Sequence, residues 1–355
     1  MILSLGAGFV LLVVGAEALV RGASRIAVGA GISPLVVGLT VVAFGTSAPE
    51  LAVSVGASLS GQSSLALGNV VGSNIFNVLL ILGVAALVAP LRVSSQLVRL
   101  DVPLGIGAGV GVLLLALDGT IGWGDGLLLV GGILVYTAYL LRQIRAGAVE
   151  AGGVSDDGGG EGTGSFGQWI VNLGFVLGGL VMLVFGARWL VEGAVAVARR
   201  LGVSELVIGL TLVAGGTSLP ELATSVLAGL RGERDIAVGN VVGSNLFNLL
   251  AVLGGAALVA PGGVAVSGAV LWFDLPVMIA VAVACLPVFI TGHTIARWEG
   301  GLFLGLYAAY TAYLILAAAR HDALSSFSLV MAAFVLPLVA VTLAVTALRA
   351  ARAGR

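Results

Sequence analysis

The sequence contains no lysine, a single cysteine and only two histidines. Cys285 alone can form neither a disulfide framework nor a cysteine-based metal site within one chain, and His293 and His321 do not make up the deficit. Charge of either sign is scarce. Only 9% of residues are charged, against about 25% in an ordinary soluble domain, while 59% are hydrophobic, which excludes a soluble globular protein. Sixteen basic residues, all arginine, nearly cancel seventeen acidic ones. No basic face is left to hold a nucleic-acid backbone, so no nucleic-acid partner is expected. With no soft ligand set, no permanently bound cofactor is expected either.

What the chain has instead is long apolar runs. Eleven stretches of roughly 18 to 25 residues can each cross about 30 Å of hydrocarbon at a rise of 1.5 Å per residue. They lie near 2–20, 34–59, 65–88, 100–117, 121–141, 169–191, 205–230, 236–259, 270–291, 298–318 and 329–348. Continuous apolar runs are unlike the short alternating segments of a barrel, so the reading is an all-α integral membrane protein whose partner is the lipid bilayer. No basic residue precedes the first run, and Arg21 and Arg25 follow it, so it reads as a retained helix and not as a signal peptide. Placing the N-terminus outside puts twelve arginines on the cytoplasmic side and leaves Arg188, Arg199, Arg200 and Arg320 outside, as the positive-inside rule favours for a cell-membrane protein. The eleventh span then ends in the cytoplasm.

The sequence also repeats itself. Shifted by 171 residues, Thr40 to Pro90 lies over Thr211 to Pro261 without a gap, and 34 of 51 pairs are identical. Five spans fit in one period, and an odd number turns the second copy over in the membrane. This predicts an inverted repeat, the architecture of secondary transporters that work by alternating access. The divisions expected are a first five-helix half at 1–145, an acidic Gly-rich linker at 146–167, a second half at 168–320, and an additional helix with a basic tail at 321–355.

The matched parts of the repeat are also where polar residues enter the apolar spans. The second span carries Gly45-Thr46-Ser47-Ala48-Pro49-Glu50 and the seventh Gly216-Thr217-Ser218-Leu219-Pro220-Glu221. A carboxylate at the bilayer centre costs about 3 kcal/mol even on lenient scales, and a bound cation compensates it. Pro49 and Pro220 cannot donate a backbone hydrogen bond, so each span should kink there and free the carbonyl of Gly45 or Gly216. The third and eighth spans open with Gly68-Asn69-Val70-Val71-Gly72-Ser73-Asn74-Ile75-Phe76-Asn77 and Gly239-Asn240-Val241-Val242-Gly243-Ser244-Asn245-Leu246-Phe247-Asn248. Ser73 shares a helix face with Asn77, and Ser244 with Asn248, while the glycines four apart suit close helix packing. Two carboxylates with hydroxyls, amides and freed carbonyls make an all-oxygen cage suited to calcium or sodium, with no imidazole or thiolate for zinc or copper.

These paired GTSxPE and GNVVGSNxFN elements resemble the calcium/cation antiporters, and within them the sodium/calcium exchanger branch with its two alpha repeats. The resemblance covers the first ten spans. It implies that Glu50 and Glu221 coordinate calcium together with the backbone carbonyls of Thr46 and Thr217. It further implies that Ala43, Ser47 and Ser73, with Ala214, Ser218 and Ser244, shape flanking sodium sites, and that Asn77 and Asn248 line the middle. Potassium-dependent relatives carry aspartate at the position of Asn248, as do some prokaryotic exchangers, so the amide here argues against potassium dependence and alters the charge count. The large calcium-sensing insert of animal exchangers has no counterpart in this chain.

The function expected is therefore exchange of sodium for calcium, with calcium expelled under a sodium gradient by a chain that works as a monomer. A calcium/proton antiporter using the same glutamates is the alternative, since both can be protonated when the metal leaves. An intramembrane enzyme would need a nucleophile with a base, and no histidine lies in any core span. A channel is disfavoured because the repeat closes on a midplane cage. Asp101, Asp118, Asp125 and Asp274, near span ends, read as solvated or helix-capping. Glu17 and Arg188, at equivalent places in the two copies, read as snorkelling to the interface and not as a functional pair.

Overall fold

A computed structural model describes residues 2–145 and 166–353. Most of the linker expected at 146–167 lies outside the described residues; Phe166 and Gly167 already belong to a helix. With no water in the hydrocarbon, every backbone group must bond within its own segment, and the apolar runs accordingly fold as helices. They are α1 (Ile2–Ala30), α2a (Pro34–Thr46) with α2b (Ala48–Leu59), α3 (Ser63–Val88), α4 (Leu97–Asp118), α5 (Trp123–Gln143), α6 (Gly167–Arg200), α7a (205–213) with α7b (Leu219–Leu230), α8 (Arg234–Val259), α9 (Val270–Ile290), α10 (Arg297–Ala318) and α11 (Ala323–Thr346). Nine of these are single helices long and apolar enough to cross a membrane, and the two broken ones supply the remaining segments.

Three spans outrun the expected boundaries. The first, expected at 2–20, continues to Ala30 because Glu17 bonds Arg21 one turn on and Arg231 of the α7b–α8 turn at 2.7 Å, so the charged turns remain helical. The sixth, expected at 169–191, runs to Arg200, and the eleventh begins at Ala323 instead of 329. Arg188 pairs with Glu192 of its own helix at 2.9 Å. Glu17 and Arg188 thus stand in separate ion pairs and not with each other.

α1 and α6 lie antiparallel at close range. Gly8, Gly15 and Gly22 recur every seven residues, as do their repeat mates Gly179, Gly186 and Gly193. A Cβ built on Gly15 would stand 2.8 Å from the Gly179 carbonyl, and one on Gly179 2.7 Å from the Gly15 carbonyl, so only glycine permits this approach. Beside this pair, α3 and α8 form the buried centre, enclosed by α2, α4, α5, α7, α9 and α10. α11 packs on α9 at the rim, where Leu343 is its buried contact.

Two short antiparallel clasps tie the halves together. β1 (Leu91–Arg92) pairs with β4 (Thr294–Ile295), and β2 (Thr120–Ile121) pairs with β3 (Val264–Ala265). Each clasp takes one strand from each half. One joins the α3–α4 and α9–α10 loops, the other the α4–α5 and α8–α9 loops, and the two are exchanged by the repeat.

Candidate functional site

The second and seventh spans break where proline follows a glycine-threonine-serine run. Ser47 leaves helical geometry (φ −84°, ψ 5°) between α2a and α2b, and the two pieces are bent by 44°. Ser218 does the same (φ −88°, ψ 8°), but here five residues, Ala214 to Ser218, are turn. Pro49 and Pro220 each sit in the first turn of the second piece, where a missing N–H costs nothing. That places Glu50 and Glu221 in the first turn of α2b and α7b, at the positive end of the helix dipole. Both side chains are fully buried.

The halves then interlock through their serines. Ser47 donates to Glu221 Oε1 at 2.9 Å, and Ser218 donates to Glu50 Oε1 at 2.8 Å, so each glutamate is held by the other repeat. Ser73 Oγ lies 3.2 Å from Ser218 Oγ. Across the centre, α3 and α8 share a lattice of amides. Asn77 Nδ2 donates to Asn245 Oδ1 at 3.0 Å and Asn248 Nδ2 to Asn74 Oδ1 at 3.2 Å. Asn74 and Asn245 each donate to the other's backbone carbonyl, at 3.3 and 3.4 Å. Asn77 and Asn248 also start stretches of wider π-helix, a local distortion common at functional sites.

What this geometry leaves over is a set of buried oxygens. Among the described residues, Glu50 Oε2, Glu221 Oε2, Asn77 Oδ1, Asn248 Oδ1, Thr217 Oγ1 and Ser244 Oγ meet no hydrogen-bond partner of good geometry. Buried acceptors are almost always satisfied, because an orphaned one costs about 1–3 kcal/mol. Six orphans, two of them carboxylate oxygens, with no arginine among the described residues bonded to either glutamate, make a donor set for a hard cation. Among the described residues no three His, Cys, Asp or Glu side chains gather, so two carboxylates and neutral oxygens are the whole inventory. Of the residues singled out in the sequence, Thr46, Ser47, Glu50, Ser73, Asn77, Ser218, Glu221, Ser244 and Asn248 are buried at this crossing, with Thr217 half-buried beside them. Ala43 is buried under α8, whereas Ala214 stands exposed in the broken turn.

Two expectations fail outside the centre. Asp101 is not a solvated terminal residue: α4 starts a turn earlier than expected, and Tyr136 of α5 donates to Asp101 Oδ1 at 2.9 Å in place of water. Its repeat mate Asp274 is part-buried and accepts from Tyr310 at the same 2.9 Å. Asp125 does cap α5, accepting from the backbone N–H of Gly122, and Asp118 is exposed and accepts from Thr120 N–H in the turn after α4. The sequence reading also passed over a support around each glutamate. Asn69 Nδ2 donates to Ser54 Oγ at 3.0 Å and reaches the Glu50 carbonyl at 3.4 Å, and Asn240 repeats both contacts with Ser225 and the Glu221 carbonyl. Identity of these four residues between the copies was the available signal.

The sodium/calcium exchanger protein family matches residues 1–144 and 171–316. The chain belongs to that family. The putative antiporter CaxA of Alkalimonas amylolytica is 38% identical over 307 residues, covering 85% of this chain and 95% of CaxA. The sodium/calcium exchanger MaX1 of Methanosarcina acetivorans is 35% identical over 338 residues, with the same coverages. Among solved structures, the sodium-calcium exchanger NCX_Mj, soaked with 10 mM Na+ and zero Ca2+, superposes with a TM-score of 0.73 at 30% identity, covering 88% of this chain and 97% of that one. The chain is thus a multi-pass membrane protein of the sodium/calcium-exchanger type of cation antiporter, built as an inverted repeat.

In this exchanger the two halves are not in the same conformation. α2a lies flush on α8: a Cβ on Gly239 would stand 2.9 Å from the Leu35 carbonyl, and one on Gly243 2.6 Å from the Leu39 carbonyl. Among the described residues, the mates Gly68 and Gly72 on α3 have nothing within 4 Å. α7a therefore stands off α3, and the close glycine packing expected of both copies exists in one. The helices are thus closed on the α2a side and parted on the α7a side, while both glutamates stay fully buried.

Proposed function

We propose that this protein exchanges sodium for calcium across the cell membrane by alternating access, with Glu50 and Glu221 as the charged ligands of calcium. The observation that carries the reading is the pair of buried carboxylates, bonded to no arginine or histidine among the described residues, each with one oxygen held by the opposite repeat and the other uncommitted. The carbonyls of Thr46 and Thr217 and the amide oxygens of Asn77 and Asn248 complete the calcium shell. Ser47, Ser73, Ser218 and Ser244, with the carbonyls of Ala43 and Ala214, form the flanking sodium sites. Two carboxylates neutralise one divalent ion, and the neutral oxygens around them suit monovalent ions that replace it.

The halves 1–145 and 168–320 act as the two inverted units, with 146–167 as a tether and 321–355 as an appendage, and one chain is the working unit. With the N-terminus outside, as the arginine distribution favours, α7a enters from the extracellular face. The parted side is then extracellular, and sodium entry drives calcium out.

The deciding experiment is radioactive calcium uptake into proteoliposomes under an outward sodium gradient, compared with a proton gradient alone. Uptake that follows sodium supports the proposal. Uptake that follows the proton gradient and ignores sodium would transfer the same site to calcium/proton antiport.

A further inference from the structure

Thr46 and Thr217 are repeat mates, yet their hydroxyls are in different states. Thr46 Oγ1 donates to Asn240 Oδ1 of α8 at 3.1 Å, on the side where α2a is seated against α8. On the side where α7a stands away from α3, Thr217 Oγ1 makes no such bond to Asn69, the residue that mates with Asn240 there. Both asparagines are otherwise anchored alike, each donating its Nδ2 to a serine of the neighbouring span, Asn69 to Ser54 and Asn240 to Ser225, at 3.0 Å. The amide donor is thus engaged in both copies, and what differs is the bond between threonine and amide oxygen, closed in one and open in the other.

We propose that Thr46–Asn240 and Thr217–Asn69 are alternate latches, and that Asn69 and Asn240 are positioning residues of the exchange cycle. An inverted repeat reaches its opposite state when each half takes the conformation of the other. In that state α7a docks on α3, Thr217 Oγ1 donates to Asn69 Oδ1, and Thr46 releases Asn240 as α2a lifts from α8. The latch sits on the residues whose carbonyls the proposed function assigns to calcium. Closing a side and fixing a ligand carbonyl are then one event. Each half-cycle breaks one such bond and makes its twin, so the hydrogen-bond term is balanced and the free energy of switching is left to the ions. The inference rests on the alternating-access reading but not on the identity of the ions.

The test uses accessibility on the full chain. Leu65 and Ile236 are repeat mates on the faces that α7a and α2a cover; Leu65 is 57% exposed and Ile236 0%. In a Cys285→Ala background, Leu65→Cys or Ile236→Cys reports each side through its rate of maleimide labelling. Thr46→Val removes the closed latch and keeps the backbone carbonyl. It should speed labelling at Ile236→Cys about fivefold, the factor that one hydrogen bond of average strength sets, and slow it at Leu65→Cys. Thr217→Val should act in the opposite sense, slowing Ile236→Cys and leaving Leu65→Cys fast. Thr46→Ser and Thr217→Ser, which keep the hydroxyl, should label like the background.

Hydrogen–deuterium exchange of 34–46 and 205–213 in the same threonine variants, without reporter cysteines, gives a second reading free of packing changes at Ile236. Valine variants that shift both sides in the same direction, or serine variants that fail to restore the background, overturn the latch. Opposite shifts in a protein that shows no sodium-driven calcium flux would uphold the latch and overturn the ion assignment instead.

Discussion

Each central glutamate is divided in its commitments: one oxygen accepts from a serine of the opposite repeat and the other faces the cage. Glu50→Gln or Glu221→Gln keeps the shape and the serine contact but removes one of two charges from a dehydrated divalent ion. Losing one partner of a buried charge pair costs about 3–5 kcal/mol, so sodium-driven calcium flux should fall about a hundredfold or more while the protein still elutes as a folded species. Near-normal flux in either variant would remove that glutamate from the cage. Asn248 leads to a second expectation. With an amide and no third carboxylate at the centre, potassium is neither required nor carried. Replacing potassium by choline on both sides of the vesicle should leave calcium flux unchanged, and a several-fold drop would refute this. These side chains were legible in the sequence because carboxylates in a lipid-spanning run have few structural explanations. Asn69 was placed only beside the polar stripe of Ser73 and Asn77, and Asn240, Ser54 and Ser225 were given no role, since a neutral amide beside glycines reads equally as helix packing until its partners are seen. Asp101 was misread for a different reason: its position near a span end said nothing of Tyr136, which is distant in sequence and supplies the hydrogen bond that water would otherwise give.

At the scale of elements, hydrophobic length identified the nine single spanning helices and the bent second span; the seventh stretch is a short apolar helix after a broken turn, and the prolines located both breaks. Neither could reveal that the breaks differ, because two nearly identical segments held in different conformations carry the same sequence signal. The glycines of α3 and α8 turn that difference into a measurement. Gly243→Val would drive a side chain into the backbone of Leu39, and overpacking of this kind costs about 1–3 kcal/mol, so the melting temperature in detergent should fall. Gly72→Val meets open space and should leave the melting temperature unchanged. Its exchange rate should nevertheless collapse, because the side chain occupies the ground on which α7a must dock. A Gly72→Val protein that exchanges at the normal rate would mean that α7a never closes on α3.

For the whole molecule, the charge count has an electrical consequence. A calcium-loaded site with two carboxylates is close to neutral. Loaded with three sodium ions, the number the family resemblance suggests, it carries one positive charge. One charge moving across the membrane responds to voltage by about 2.3 kcal/mol per 100 mV, enough to shift the exchange equilibrium well over tenfold. In vesicles clamped with valinomycin and a potassium gradient, an inside-negative potential should speed sodium entry with calcium exit and slow the reverse. Flux indifferent to the clamp would indicate two sodium ions per calcium, or protons.

The strand clasps bear on how such a molecule is assembled. Because β1 pairs with β4 and β2 with β3, both ends of the bundle are fastened by contacts between the halves, independently of the peptide that joins them. The covalent connection is thus a delivery device more than a fastener: it presents the second half to the insertion machinery after an odd number of crossings, so that it enters upside down. Two separate genes, one for each half and each with its own orientation signal, should therefore yield a complex that finds itself in the bilayer, much as two hands clasp without a common arm.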